Sequence, residues 1–153
     1  MSVRFQHHDA LEINRIDYGG ALSADEFYAH AHFRLAQPQW LNYDHINVIL
    51  PDADASALTR GVLDALFLKH QALFDTHKLL IMRRSAWICQ SPGARPLLDY
   101  WLSDQDKTRA AHTEVRLFET FEAAGEWLVL TPLQSALVAH GEGFREIARF
   151  ETP

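Results

Sequence analysis

Several features that define whole protein classes are scarce or missing in this sequence. Cys89 is the single cysteine among 153 residues, which rules out an internal disulfide and the paired CxxC sites of zinc ribbons and thiol redox proteins. No run of about 18 apolar residues occurs, so the sequence predicts no transmembrane segment. Residues 1–9 also lack the apolar core of a secretory signal. These absences predict a cytoplasmic protein.

Positive charge is also in short supply. Lys and Arg number 14 against 20 Asp and Glu, which gives a formal net charge of -6. Such a chain repels the phosphate backbone of a nucleic acid, so we expect no nucleic-acid partner. The hydrophobic fraction is 48%, enough to build a core, and the 7 Gly and 6 Pro are scattered without forming a linker. We expect one domain over residues 1–153, with residues 131–153 as a C-terminal extension.

Strand and helix patterns alternate along the chain and predict an α/β fold. Residues 3–5 and 11–13 alternate between apolar and polar side chains, which indicates an antiparallel hairpin. The apolar run at 46–50 is typical of a central strand covered on both faces. Residues 114–118 alternate again and indicate a strand near the sheet edge. We predict a mixed, mostly parallel sheet of about five strands that begins with the hairpin and carries four to five helices.

Capping patterns and the spacing of apolar residues predict where the helices begin and end. Ser23 and Glu26 form a capping-box pattern that starts a helix over 24–35, and Pro38 ends it. Apolar spacing and first-turn Pro or Thr residues predict further helices over 58–73, from 96, from 120 and over 132–140.

Two segments are left open. Residues 79–90 are compatible with one bent strand or with two short strands. The tail at 141–153 receives no element, although Phe144, Ile147 and Phe150 are apolar and spaced three apart.

Three segments share features with a known group of proteins. Gly19-Gly20 ends a strand and is followed by residues 22–26, and the strand at 46–50 runs into residues 51–54. Residues 115–128 contain a valine-led strand ending in Phe, an acidic turn and a Trp-Leu pair. Together these segments resemble the SpoIIAA-like group of small bacterial domains, which is related to the STAS domains of anti-sigma-factor antagonists. The resemblance spans about residues 10–130 and implies an α/β domain that regulates by binding.

The sequence departs from those antagonists in one motif. Their loop after the buried strand carries an Asp-Ser-Ser or Asp-Ser-Thr string whose hydroxyl is phosphorylated. Residues 52–57 here read Asp-Ala-Asp-Ala-Ser-Ala. The phospho-switch motif is therefore absent, and its role is not assigned to Ser56.

A ligand site, if the protein has one, is predicted at the carboxyl ends of the buried strands. The loops at 51–55 and 90–96 should meet there, because parallel strands end at the same edge of a sheet. An arginine cluster next to such loops suits a phosphate or a carboxylate. The candidate ligand-binding residues are Asp52, Asp54, Arg83, Cys89, Ser91 and Arg95.

Each of these candidates also has a structural interpretation. Asp52 and Asp54 follow a strand and precede a helix, where aspartates commonly cap free backbone amides. Cys89 ends an apolar strand and has the sequence context of a core residue. Arg95 would form an exposed ion pair with Asp52 or Asp54, and such pairs contribute little to stability.

No catalytic or metal-binding set can be assembled from the sequence. Among the nine histidines, His30 and His32 would point to different sides of a helix, and no HExxH motif occurs. The phosphate-binding motifs GxxxxGK[ST] and GxGxxG are also missing. We therefore assign no catalytic residue, no metal and no cofactor.

The sequence favours a binding or regulatory module that contacts a protein partner or a small anionic or apolar ligand. The alternative is a small enzyme that acts on an anionic metabolite through Cys89 or Asp52 together with the arginines. An enzyme should place two or more perturbed titratable groups in one pocket. A binding module should instead show an apolar cleft or a flat interface.

Several apolar side chains exceed what one small core needs. Trp40 and Tyr43 lie in a predicted loop, and Phe144, Ile147 and Phe150 lie in the unassigned tail. Because such residues are favoured at subunit interfaces, they predict a symmetric homodimer.

Overall fold

A computed structural model of the chain describes residues 3–77, 83–103 and 114–151. One mixed sheet is formed by six strands, which are β1 (Val3–His8), β2 (Ile13–Tyr18), β3 (Asp44–Ile49), β4 (Arg84–Cys89), β5 (Glu114–Phe118) and β6 (Arg145–Phe150). Their spatial order is β5-β4-β3-β2-β1-β6. Strands β2 to β5 run parallel, and β1 is antiparallel to both of its neighbours. The predicted mixed, mostly parallel α/β sheet with an N-terminal hairpin is confirmed.

Five α-helices are found in the described ranges, which are α1 (Ala24–Ala36), α2 (Arg60–His77), α3 (Arg95–Leu102), α4 (Phe121–Trp127) and α5 (Pro132–His140). Helix α1 begins as predicted, because the Glu26 carboxylate accepts the Ser23 backbone N–H at 3.3 Å. A short 3-10 helix over Pro38–Asn42 follows α1. None of the helices in these ranges is long and apolar enough to cross a membrane.

The helices cover the two faces of the sheet in separate layers. Helices α1, α2 and α3 pack on the face that carries Tyr18, Ile49 and Trp87. Helices α4 and α5 pack on the opposite face, against Ile46 and Val48. Alternate residues of the central strands therefore enter different cores, which explains why the run at 46–50 is apolar apart from Asn47.

The segment at 79–90 contains one strand within the described residues, Arg84–Cys89. The strand begins at Arg84, so Arg83 lies just before it, and Cys89 is its last residue. Residues 79–82 of the open assignment lie outside the described residues.

The tail supplies the sixth strand, in place of the predicted count of about five. Strand β6 pairs with β1, with Val3 opposite Phe150 and Phe5 opposite Ala148, and the register shifts between Phe5 and Gln6. The shift leaves Ile147 as an extra residue on β6, so Ile147 and Phe150 both pack on the same core although they are three apart. A bulge thus produces a spacing that a regular strand would not have.

A buried carboxylate joins the sheet to α5. Asp17 is 1% exposed and accepts hydrogen bonds from Arg15 Nε at 2.8 Å, Arg4 Nη2 at 3.0 Å and Gln6 Nε2 at 2.9 Å. Arg15 also donates to the Val138 carbonyl at the end of α5. The positive charge therefore sits at the negative end of that helix, where it is stabilising.

The connection between α4 and α5 contains a residue in an unusual conformation. Val129 has a φ of 62° and is 79% exposed. Its position just after the helix is one that glycine commonly fills, because a Cβ atom is disfavoured there. Leu133, close by on α5, is 73% exposed.

Candidate functional site

The carboxyl edge of the parallel strands brings the two predicted loops together. Ser91 Oγ donates a hydrogen bond to the Ala53 carbonyl at 3.1 Å, and the Gln90 backbone N–H donates to the Ile49 carbonyl at 2.8 Å. Ser91 is 4% exposed, so its hydroxyl holds the loops and is closed to ligands. The loops therefore lie where the topology placed them.

The two aspartates of the first loop face solvent. Asp54 Oδ1 accepts the Ser56 backbone N–H at 2.9 Å, and this hydrogen bond lowers the pKa of the Asp54 carboxyl. Asp52 is exposed. The contact of Asp54 is the local turn contact expected of a capping aspartate.

Cys89 is half-buried at the end of β4. Its Sγ donates to the Ser91 carbonyl at 3.1 Å. Burial raises the pKa of the thiol, although Arg95 partly offsets that shift. A thiol with a raised pKa holds its proton at neutral pH, which is the opposite of an activated nucleophile.

The arginine cluster is not formed, because Arg83 and Arg95 lie at opposite ends of β4. Six residues at about 3.3 Å each separate the two edges of the sheet. Arg95 donates from Nε to Asp99 at 3.0 Å and from Nη2 to Glu119 at 2.9 Å. The proposed pairing of Arg95 with Asp52 or Asp54 is therefore wrong, since Asp99 of α3 and Glu119, which directly follows β5, are its partners instead.

Beside these loops the structure contains an apolar cavity between the sheet and helices α2 and α3. Twelve side chains line it, namely Leu22, Phe27, Ile49, Ala55, Leu58, Leu63, Leu66, Trp87, Ala94, Leu97, Leu98 and Trp101. The two predicted loops contribute Ala55 and Ala94 to this wall. None of the six candidate residues is among the twelve, and none of the twelve is a titratable group.

The cavity is small. Its volume is about 430 Å³ including the open mouth. This is near the lower end of the range for small-molecule sites, so the cavity suits a narrow alkyl chain and not a large ring system.

A row of polar side chains crosses the same face of the sheet, further from the loops. His7, Asn14, His45 and Ser85 are register partners on four successive strands. His7 Nδ1 donates to Asn14 Oδ1 at 2.8 Å, and Asn14 Nδ2 donates to the Trp40 carbonyl at 2.8 Å. The row thereby fixes the 3-10 helix against the sheet.

Two residues of α1, His30 and Arg34, and one residue of α2, His70, lie above this row. His30 is 3% exposed, and its Nε2 atom has no hydrogen-bond partner. The same holds for Nε2 of His70 and Nε of Arg34. Burial lowers the pKa of His30 well below its usual value, that of His70 to about 4 and that of His45 to about 3. The charge of Arg34 lowers all three pKa values further.

Sequence patterns did not single out this group, which we call the Arg34 cluster and define as His30, Arg34, His45 and His70. The signal that identifies it is the spacing of Phe27, His30 and Arg34, which places polar residues on the inward face of α1. Within the described residues, no three or more His, Cys, Asp and Glu side chains are placed to hold a metal ion.

The side chains that predicted a homodimer pack within one chain. Trp40 and Tyr43 contact the His7 ring, with centroid distances of 5.1 and 4.6 Å. Phe144 packs against His8 at 5.2 Å, and Phe150 packs against Phe33 at 5.6 Å. These apolar side chains are therefore used within one chain, which removes the argument for a dimer that was based on them. The homodimer stays a prediction.

A scan against protein-family models finds no match to the chain, and a search of curated proteins finds no significant similarity.

Proposed function

We propose that this protein is a binding module for a small apolar ligand, held in the cavity between the sheet and helices α2 and α3. The observation that carries the proposal is the composition of the cavity wall, which has twelve apolar side chains and no titratable group. A concave apolar surface at the carboxyl edge of parallel strands is a common place for small ligands. The resemblance to SpoIIAA-like domains supports a non-enzymatic role of the same kind.

The alternative enzyme is less well supported by the same residues. Cys89 retains its proton, Asp54 makes a local turn, and Arg95 is held by two carboxylates. Acid-base or nucleophilic chemistry needs such groups to converge on one pocket. We also keep a cytoplasmic location in the proposal, since the single free thiol suits a reducing compartment.

The proposal is tested with a neutral apolar probe, 1-octanol, whose binding is measured by calorimetry and by tryptophan fluorescence. Trp87 and Trp101 line the cavity, so an occupant should change their emission. We expect saturable binding with one molecule per chain. A linear signal without saturation, or no signal at octanol's solubility limit, would refute the proposal.

A matched pair of variants locates the binding. Ala94→Leu adds three carbon atoms to the cavity wall, whereas Ala65→Leu adds the same atoms at an exposed position on α2. We expect Ala94→Leu to weaken octanol binding at least about tenfold, in line with the lost apolar contact area, and Ala65→Leu to leave it unchanged. Equal effects of the two substitutions would place the ligand elsewhere.

A further inference from the structure

Strongly exposed hydrophobic side chains are concentrated where α4 connects to α5. Val129 lies in that connection and is 79% exposed, and Leu133, in the first turn of α5, is 73% exposed. Pro132, next to Leu133, and Ala136, three residues further on the helix, are also exposed. We call these four residues the α4–α5 patch. Helices α4 and α5 cover the face of the sheet opposite the apolar cavity, so the patch is separate from the proposed ligand site.

The backbone of the connection holds Val129 in its unusual conformation. The Val129 N–H donates to the Glu126 carbonyl at 3.1 Å, and the Leu130 N–H donates to the Gly125 carbonyl at 2.8 Å. This pair of hydrogen bonds is the Schellman motif, in which the residue after the helix cap is usually glycine because its φ is positive. Here that residue is a β-branched valine with a φ of 62°.

The stability of the fold does not explain a valine at position 129. Glycine or asparagine adopts a positive φ at a lower cost than valine does. The exposed valine side chain also regains little of that cost by packing within the chain. A strained residue that presents an apolar side chain to solvent is typical of a contact surface.

The charges around the patch are acidic and uncompensated. Residues 117–144 contain four glutamates and no lysine or arginine. Glu122 and Glu126 are exposed one helical turn apart on α4, and neither forms an ion pair with a described residue. The arginines that contact α4 or α5 are each paired with a carboxylate of the sheet, as Arg15 with Asp17, Arg84 with Asp44 and Arg116 with Glu114.

We infer that the α4–α5 patch is a docking surface for a segment of another protein that carries apolar and basic side chains. The apolar side chains of such a segment would cover Val129 and Leu133, and its Lys or Arg side chains would pair with Glu122 and Glu126. A second copy of this chain fits the patch less well. A two-fold contact would bring the same glutamates together, and the net charge of each copy is -6.

The test uses a fluorescently labelled peptide made of two Leu-Lys-Lys-Leu-Leu-Lys-Leu repeats, which places its apolar and basic side chains on opposite faces of a helix. Fluorescence anisotropy should show saturable binding with one peptide per chain. A second peptide, in which Glu replaces every Lys, keeps the apolar face and reverses the charge. It should bind at least about tenfold more weakly, because it meets the glutamates with like charge.

Substitutions in the patch separate binding from folding. Val129→Asn should raise the urea midpoint of unfolding, since asparagine tolerates a positive φ, and should weaken binding of the basic peptide at least about fivefold. Leu133→Gln should weaken binding by a similar factor. Leu68→Gln is the matched control and should leave binding unchanged. Leu68 is 62% exposed on α2, which packs on the other face of the sheet.

The acidic part of the surface is tested by the double substitution Glu122→Gln and Glu126→Gln. Affinity of the wild type for the basic peptide should fall when NaCl is raised from about 0.05 M to about 0.5 M, because salt screens exposed charges. The double variant should bind more weakly at low salt and depend less on salt. Asp25→Asn removes an exposed carboxylate from α1 and should behave as the wild type does.

Several results would overturn the inference. It is wrong if the basic peptide does not bind, if the acidic peptide binds equally well, or if Val129→Asn and Leu133→Gln bind as the wild type does. A lower urea midpoint for Val129→Asn would show that packing within the chain requires the valine. Light scattering that shows a dimer of the wild type and a monomer of Leu133→Gln would assign the patch to a second copy instead.

Discussion

As the pH is lowered, this fold should begin to lose stability at a higher pH than it would if only its carboxylates were protonated. The perturbation is a change from pH 7.5 to 5.0, and the sensitive groups are His30, His45 and His70. Their pKa values are lowered in the folded chain, that of His45 to about 3 and that of His70 to about 4. Burial is the main cause, and the positive charge of Arg34 lowers the three pKa values further. The unfolded chain therefore binds protons that the folded chain does not.

The magnitude follows from the difference in proton binding. An unfolded histidine has a pKa of about 6.5, and each pH unit below that value favours the unfolded state by about 1.4 kcal/mol. At pH 5.0 each buried histidine thus costs about 2 kcal/mol, or about 6 kcal/mol for the three. Stability is complete above about pH 6.5 and falls until the pH reaches the folded pKa values. The total approaches the whole stability of a typical domain.

The carboxylates with lowered pKa values do not share this window. Asp9, Asp54 and Glu119 start from ordinary values of 3.8, 3.8 and 4.5, so their contribution is lost mainly below those values. Any decrease in the free energy of unfolding between pH 6.5 and 5.0 is therefore due to the histidines.

Urea titrations at the two pH values, followed by tryptophan fluorescence, measure the free energy of unfolding. His30→Phe should reduce the pH difference by about 2 kcal/mol, because a phenyl ring can occupy the site beside Phe5 and Phe150 without binding a proton. His32→Gln, at an exposed position of the same helix, is the control and should leave the difference unchanged. A wild-type difference below about 1 kcal/mol would show that the histidines are hydrated in the folded chain, and would refute the reasoning.

Four other outcomes follow from the contacts of Asp17, Arg95, Cys89 and Val129. Asp17→Asn should lower the free energy of unfolding by about 3–5 kcal/mol, since it leaves buried arginine charge uncompensated, and a urea titration with an unchanged midpoint would contradict this. Arg95→Ala should not measurably change the melting temperature, because both of its ion pairs are exposed. Cys89 should react with iodoacetamide at least about tenfold more slowly in the native chain than in urea; equal rates would show an open thiol. Val129→Asn should raise the free energy of unfolding by about 1 kcal/mol in urea, because asparagine tolerates a positive φ, and a lower value would show that the valine is held by packing.

Much of the fold could be predicted because local patterns agree with it. The capping box at Ser23, the apolar run at 46–50 and the Thr-Pro start of α5 each reflect nearby residues, and each leads to the observed element. The tail could not be predicted, since its spacing depends on a register shift against β1, which lies at the other end of the sequence. Long-range pairing leaves no local pattern.

The candidate site shows the same limit. The position of the cavity follows from topology, because loops after parallel strands meet at one edge. Its apolar character does not, since it depends on Trp87 and Trp101 facing the same space from β4 and α3. The sequence prediction selected Arg95 because it is charged. In the structure Arg95 is already paired with Asp99 and Glu119 on the surface.

The pairing of β1 with β6 sets the order in which the sheet can be completed during synthesis. β1 is made first of the six strands and β6 last, with Val3 opposite Phe150. On the ribosome, β1 can form its hairpin with β2 early, but its other edge keeps unpaired amide and carbonyl groups until β6 emerges. Contacts so distant in sequence slow folding, because a long loop must close before they form. An open β edge is also a template for other chains. The free edge of β1 is therefore a site of misassociation in the nascent protein, and a chaperone that shields residues 3–8 until β6 emerges would raise its yield.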